Sequence, residues 1–109
     1  MSNRVFELRT YHTPSGALPA LEARFRDHTT ALFERHGLEI IAFFTPADQA
    51  NTLVYLLAFE NREAADTAWT AFRADPEWVA AKAASEADGP IVERIESVFL
   101  DPTEYSPLH

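Results

Sequence analysis

Glu7, Arg9 and Tyr11 fall at alternate positions of VFELRTY, residues 5–11, so a strand there carries an acid, a guanidinium and a phenol on one face. Those three groups can share a task. Arg9 suits an anionic or enolic oxygen through its planar fork of donors, and Tyr11 or Glu7 is placed to handle a proton. They equally make a plain ion pair with a tyrosine beside it, because charges two apart on a strand face can satisfy each other. The four histidines are scattered. His28 falls in the middle of a helical pattern near its apolar stripe, from which it can reach a cleft between helix and sheet. His36 ends that pattern and reads as a pocket group or as a helix-end interaction. His12 begins a loop and can line a pocket mouth, while His109 reads as an inert tail residue. No HxH, HExxH or facial triad occurs, so no metal is expected. Phe43, Tyr55 and Trp78 supply aromatic surface that suits a small apolar or aromatic molecule with one polar end. Gly16, Gly37 and Gly89 stand alone in turns or caps rather than in a phosphate loop, and no cofactor is expected.

These residues need elements to position them. VFELRTY is the first strand. Leu18, Leu21, Phe25, Leu32 and His36 then recur near one helical stripe, with His28 and Thr29 in its middle turn and Gly37 where a left-handed cap belongs. LEIIAFF (38–44) and TLVYLLAF (52–59) are strands with both faces largely apolar. Asn61 is placed to cap a helix over REAADTAWTAF whose buried stripe is Ala65, Ala68, Trp69 and Phe72. Asp75 and Pro76 start a short helix, and IVERIESVFL (91–100) is the last strand before a tail over 101–109. The order β-α-β-β-α-β is the α+β, ferredoxin-like split β-α-β arrangement with a four-stranded antiparallel sheet. The chain reads as one domain over 1–109, with its core in 4–100.

Helices on one side bury one sheet face only. The second apolar face of the middle strands is more surface than a monomer usually exposes. The expectation is a homodimer packed sheet to sheet as a dimeric α/β barrel, with the tail as a clasp through Tyr105 and Leu108. Phe6 and Leu8 are the natural pair to meet the helices, which turns Glu7, Arg9 and Tyr11 toward the interior of that barrel.

A chain of 109 residues with 47% hydrophobic residues has room for one modest core. With no cysteine it has no disulfide, thiolate ligand or cysteine nucleophile. Its net charge of -8, with 17 acids against 9 bases and no basic cluster, argues against nucleic acid as a partner. The start MSNRVFELR lacks a signal-peptide pattern and no run is long enough to span a membrane, so a soluble, cytoplasmic protein is expected.

ELRTY (7–11), ERHG (34–37) and FRADPEW (72–78), with LVYLLAF (53–59) between them, resemble the NIPSNAP family in order and spacing. The resemblance implies a split β-α-β domain dimerising through its sheet, and it leaves the biochemical role undetermined. Similar barrels include monooxygenases of quinol-like aromatics, often cofactor-free, together with haem-degrading enzymes, isomerases and mutarotases. Some relatives carry a histidine and a tryptophan in the third strand, where this chain has Tyr55 and Leu57. Three classes of function remain open: an interaction protein, a small-molecule binding module, and a cofactor-independent monooxygenase or isomerase-like enzyme acting on an apolar, enolisable substrate.

Overall fold

The structure, a computed structural model, describes residues 4–109. β1 (Val5–His12) is followed by α1 (Leu18–Arg24), a π-helical turn (Phe25–Thr29) and α2 (Thr30–Arg35), which run on without a break. Then come β2 (Glu39–Phe44), β3 (Thr52–Phe59), α3 (Arg62–Ala74), α4 (Pro76–Ser85) and β4 (Arg94–Leu100). The strands form one antiparallel sheet in the order β2-β3-β1-β4, the expected ferredoxin-like split β-α-β topology.

Local chemistry accounts for the boundaries. α2 ends in a Schellman motif: Leu38 N–H bonds the Phe33 carbonyl at 2.9 Å and Gly37 N–H the Glu34 carbonyl at 3.3 Å. Gly37 takes φ 83°, a conformation that costs a residue without Cβ little. The Asn61 side chain accepts from Ala64 N–H at 2.7 Å to start α3, and Asp75 accepts from Glu77 N–H at 2.8 Å to start α4 with Pro76 in its first turn. The buried stripe of α3 is Ala65, Ala68, Trp69 and Phe72, as the spacing predicts.

Two expectations are corrected. First, the sheet is open, with β2 and β4 as its two unclosed edges, so there is no barrel. Second, β1 presents the opposite face to the helices. Glu7, Arg9 and Tyr11 lie beneath the helix layer with Val5, whereas Leu8, Thr10 and His12 point to the other side. Strand register sets their neighbours on that face, with Arg9 beside Tyr55 and Ser97 and Tyr11 beside Leu53 and Ile95. Helix indole and aromatic groups then enclose the polar residues, which removes the reason for preferring Phe6 and Leu8 inside. Within the single chain Tyr105 is 84% exposed, and the tail returns to the body through His109, whose carbonyl accepts from Arg4 Nε and Nη2 at 3.2 and 3.1 Å.

A register irregularity between Ile40 and Ala42 in β2 puts Ile40 and Phe43 on the core side, opposite Leu57 and Tyr55. Ala42 and Phe44 lie opposite Leu56 and Val54 on the helix-free face, where Phe44 is 55% exposed.

Candidate functional site

Beneath the helices, six side chains from β1, β3, β4 and α3 form one polar network, five of them buried and the sixth, Ser97 on β4, exposed. Glu7 accepts from Trp69 Nε1–H at 2.7 Å on one oxygen, and from Ser97 Oγ–H at 2.6 Å and Arg9 Nη1–H at 2.9 Å on the other. Arg9 Nε donates to the Tyr55 hydroxyl at 2.9 Å and Nη2 to the Tyr11 hydroxyl at 3.3 Å. The two hydroxyls share a hydrogen bond of 2.9 Å. The indole of Trp69 lies 4.3 Å from the guanidinium carbon, close enough for a cation–π contact.

Every charge in this cluster has a partner, which is the condition for burying an ion pair in a core. Burial pushes the Tyr55 phenol well above its ordinary pKa, so it stays a neutral hydroxyl at physiological pH. Burial also works against the Arg9 charge, but the Tyr55 and Tyr11 oxygens and Glu7 outweigh it and hold the guanidinium pKa above its usual value. Chemically, the cluster is a fixed cation ending in two linked hydroxyls.

Phe25 bridges this cluster to the surface. Its ring stands 5.7 Å from Tyr11, 5.2 Å from Tyr55 and 5.3 Å from Phe43. Phe43 in turn stands 5.2 Å from Tyr55. Phe25, Phe43 and Leu53 wall a recess of about 200 Å³, with Glu22, Arg26 and Thr30 also lining it. The recess therefore lies one ring away from the hydroxyl pair.

The structure brings together Glu7, Arg9, Tyr11, Tyr55 and Phe43, and it separates His28, His36 and Trp78 from them, as it does His12, which bonds Glu96 at 2.7 Å. His28 is exposed and lies along a groove beside α4. The π-turn is the cause. Thr30 N–H bonds the Phe25 carbonyl five residues back, which inserts one residue and moves the inward position from 28 to 29. Thr29 is accordingly buried and donates its hydroxyl to the Arg24 carbonyl at 3.2 Å. His36 sits at the helix end, its Nε2 2.7 Å from Asp75 Oδ2, in a depression away from the network. Trp78 is half-buried against Phe72, ring centres 4.6 Å apart, and does not reach the network.

Sequence reasoning missed Trp69, Ser97 and Phe25 as parts of the site. Trp69 and Phe25 were readable only as core stripe positions, and Ser97 carries no signal until strand pairing places it opposite Arg9. Among the described residues no three His, Asp or Glu side chains group as metal ligands. No helix among them is long and apolar enough to cross a membrane.

A family model described as NIPSNAP matches residues 6–107. The chain is similar to a NIPSNAP family protein of unknown function from Agrobacterium tumefaciens, at 25% identity over 99% of this chain and 96% of that one, TM-score 0.86. It is similar to a NIPSNAP-like domain protein from Burkholderia xenovorans at 21% identity, covering 98% of this chain and 91% of that one, TM-score 0.86. More distantly it shares a fold with SnoaB, a cofactor-independent oxygenase from Streptomyces nogalater, at 18% identity over 96% and 98% of the two chains, TM-score 0.63. No curated protein matches the chain.

Proposed function

This chain belongs to the NIPSNAP family, and we propose that it is a small-molecule binding domain whose site is the recess above the Tyr11–Tyr55 hydroxyl pair. The observation that carries this reading is the adjacency of an aromatic-walled recess to a polar network that ends in two hydroxyls locked onto a buried arginine. A recess of about 200 Å³ is smaller than the common ligand pocket of roughly 300–1,000 Å³, which points to a single-ring or small fused-ring molecule. Its apolar body stacks among Phe25, Phe43 and Leu53, and its hydroxyl or enol oxygen meets Tyr11, the more accessible member of the pair. Phe25 is the gate, carried on a π-turn whose longer hydrogen-bond loop marks a non-ideal helix segment.

A second reading, a cofactor-independent oxygenase or isomerase-like enzyme on an enolisable substrate, is favoured by the Arg9 charge behind those hydroxyls, which would stabilise an enolate oxygen. The SnoaB likeness fits that reading at the level of fold alone. Binding is preferred because both Glu7 oxygens are already occupied by donors, leaving no unengaged base in the cluster. We also infer self-association through the helix-free sheet face, where Leu8, Val54, Leu56, Phe44, Val98 and Leu100 gather. A patch of that kind marks an interaction surface.

Titration with 1-naphthol, followed through the Leu53 methyl and Phe43 ring NMR signals, tests the binding site. Saturable shifts confined to the recess are expected, and unmoved signals would overturn the reading.

A further inference from the structure

We propose that the groove between α4 and the α1–π-turn segment binds a small organic monocarboxylate, held by the side edge of Arg24. This site is separate from the recess above, which is lined by Phe25 and contains no residue of this groove.

Arg24 is a buried helix residue whose side chain is only 4% exposed. Its Nη1 donates to Ser85 Oγ at 3.1 Å and, at a long 3.4 Å, to Glu86 Oε2. The face of Trp78, centred 5.0 Å from the guanidinium carbon, backs the group. Among the described residues, buried Nε has no hydrogen-bond partner, and Nη2 donates to none of them either. Those two nitrogens form the side edge of the guanidinium, whose parallel N–H pair matches the two oxygens of a carboxylate. A buried donor left unmatched is unfavourable, so an arginine held here with that edge unused is prepared for an acceptor from outside the chain.

The rest of the groove fits the remainder of such a molecule. It encloses about 330 Å³, and Ala20, Ala23, Ala81 and Ala84 leave its floor low and apolar. His28, which the π-turn directs away from the core, stands along the same groove with Asp27. Local charge selects the ligand class. Arg24 contributes one positive charge against Asp27 and Glu86, and Lys82 offsets Glu86 through a contact of 3.4 Å. These charges cancel, so a singly charged carboxylate leaves one net negative charge in the groove, whereas a phosphate dianion would leave two beside the flanking acids.

The test uses the full chain with benzoate as the probe and inorganic phosphate at matched ionic strength as the comparison. The ¹⁵N–¹H signal of Arg24 Nε reports the side edge directly. Benzoate is expected to shift it saturably, and phosphate to bind about tenfold more weakly. Ala84→Leu, at an exposed position on α4, fills the groove without touching the core and is expected to abolish the benzoate response. An unmoved Nε signal, equal affinity for phosphate, or a response that survives Ala84→Leu would each overturn the assignment. Because the recess residues are untouched by Ala84→Leu, 1-naphthol shifts at Leu53 should persist in that variant, which keeps the two sites experimentally separate.

Discussion

Glu7 carries the demand of three donors on two oxygens, and it is also the countercharge of Arg9. Its removal leaves a buried guanidinium without an anion, whereas removal of Ser97 deletes a single donor. Glu7→Gln should therefore lower the unfolding free energy by about 3–5 kcal/mol, in the range of broken buried pairs. Ser97→Ala should lower it by about 1 kcal/mol. Urea denaturation of the two variants checks this, and equal losses would mean that the charge of Glu7 is not what matters. The grouping of Glu7, Arg9 and Tyr11 was legible from their alternation in VFELRTY. Their direction was not, since Val5 shares their face and Phe6 and Leu8 offer an equally apolar alternative. The indole donor of Trp69 and the hydroxyl of Tyr55, supplied from distant segments, decide it.

Among the elements, the α1–α2 run carries His28 outward instead of toward the cleft. A continuous 3.6-residue pattern from Leu21 and Phe25 passes through position 28, but the π-turn delays the pattern by one residue and buries Thr29 instead. Nothing in FRDHT announces that insertion. The capping signals behaved differently, since Asn61, Asp75–Pro76 and Gly37 act locally and were readable from residue type alone. Asp75 ties two elements together. It caps α4 and receives Arg35 and His36 from the end of α2, at 3.1 and 2.7 Å. The His36 hydrogen bond, followed by the Glu77 N–H, lowers its carboxyl pKa below the ordinary value of 3.8. A carboxylate lowered on folding stabilises the fold above its unfolded pKa and loses that contribution as pH falls through the folded value. Asp75→Ala should consequently lower the denaturation midpoint at pH 7, with a gap to the wild-type chain that narrows on acidification. A gap constant across acid pH would contradict the ionic role.

Across the whole molecule, helices cover β1 and β3 on one sheet face, leaving Ile95 at the β4 edge 45% exposed, and the other face keeps Phe44, Val98 and Leu100 at 55, 49 and 40% exposure. The element order and the two apolar faces were visible in LEIIAFF and TLVYLLAF. An open sheet with two edges satisfies the same pattern without closing into a barrel. If two copies associate through this face, sedimentation should give twice the chain mass, and Phe44→Asp should return it to the single chain. A wild-type chain that sediments singly would remove that inference without affecting the recess. The central claim is that the network's hydroxyl end recognises a ligand oxygen. The most direct measurement compares the affinities of 1-naphthol and naphthalene for the wild-type and Tyr11→Phe chains. The expected result is a preference for 1-naphthol of about tenfold in the wild type that collapses in the variant; equal affinity for the two compounds in the wild type, or a preference that survives Tyr11→Phe, would contradict it.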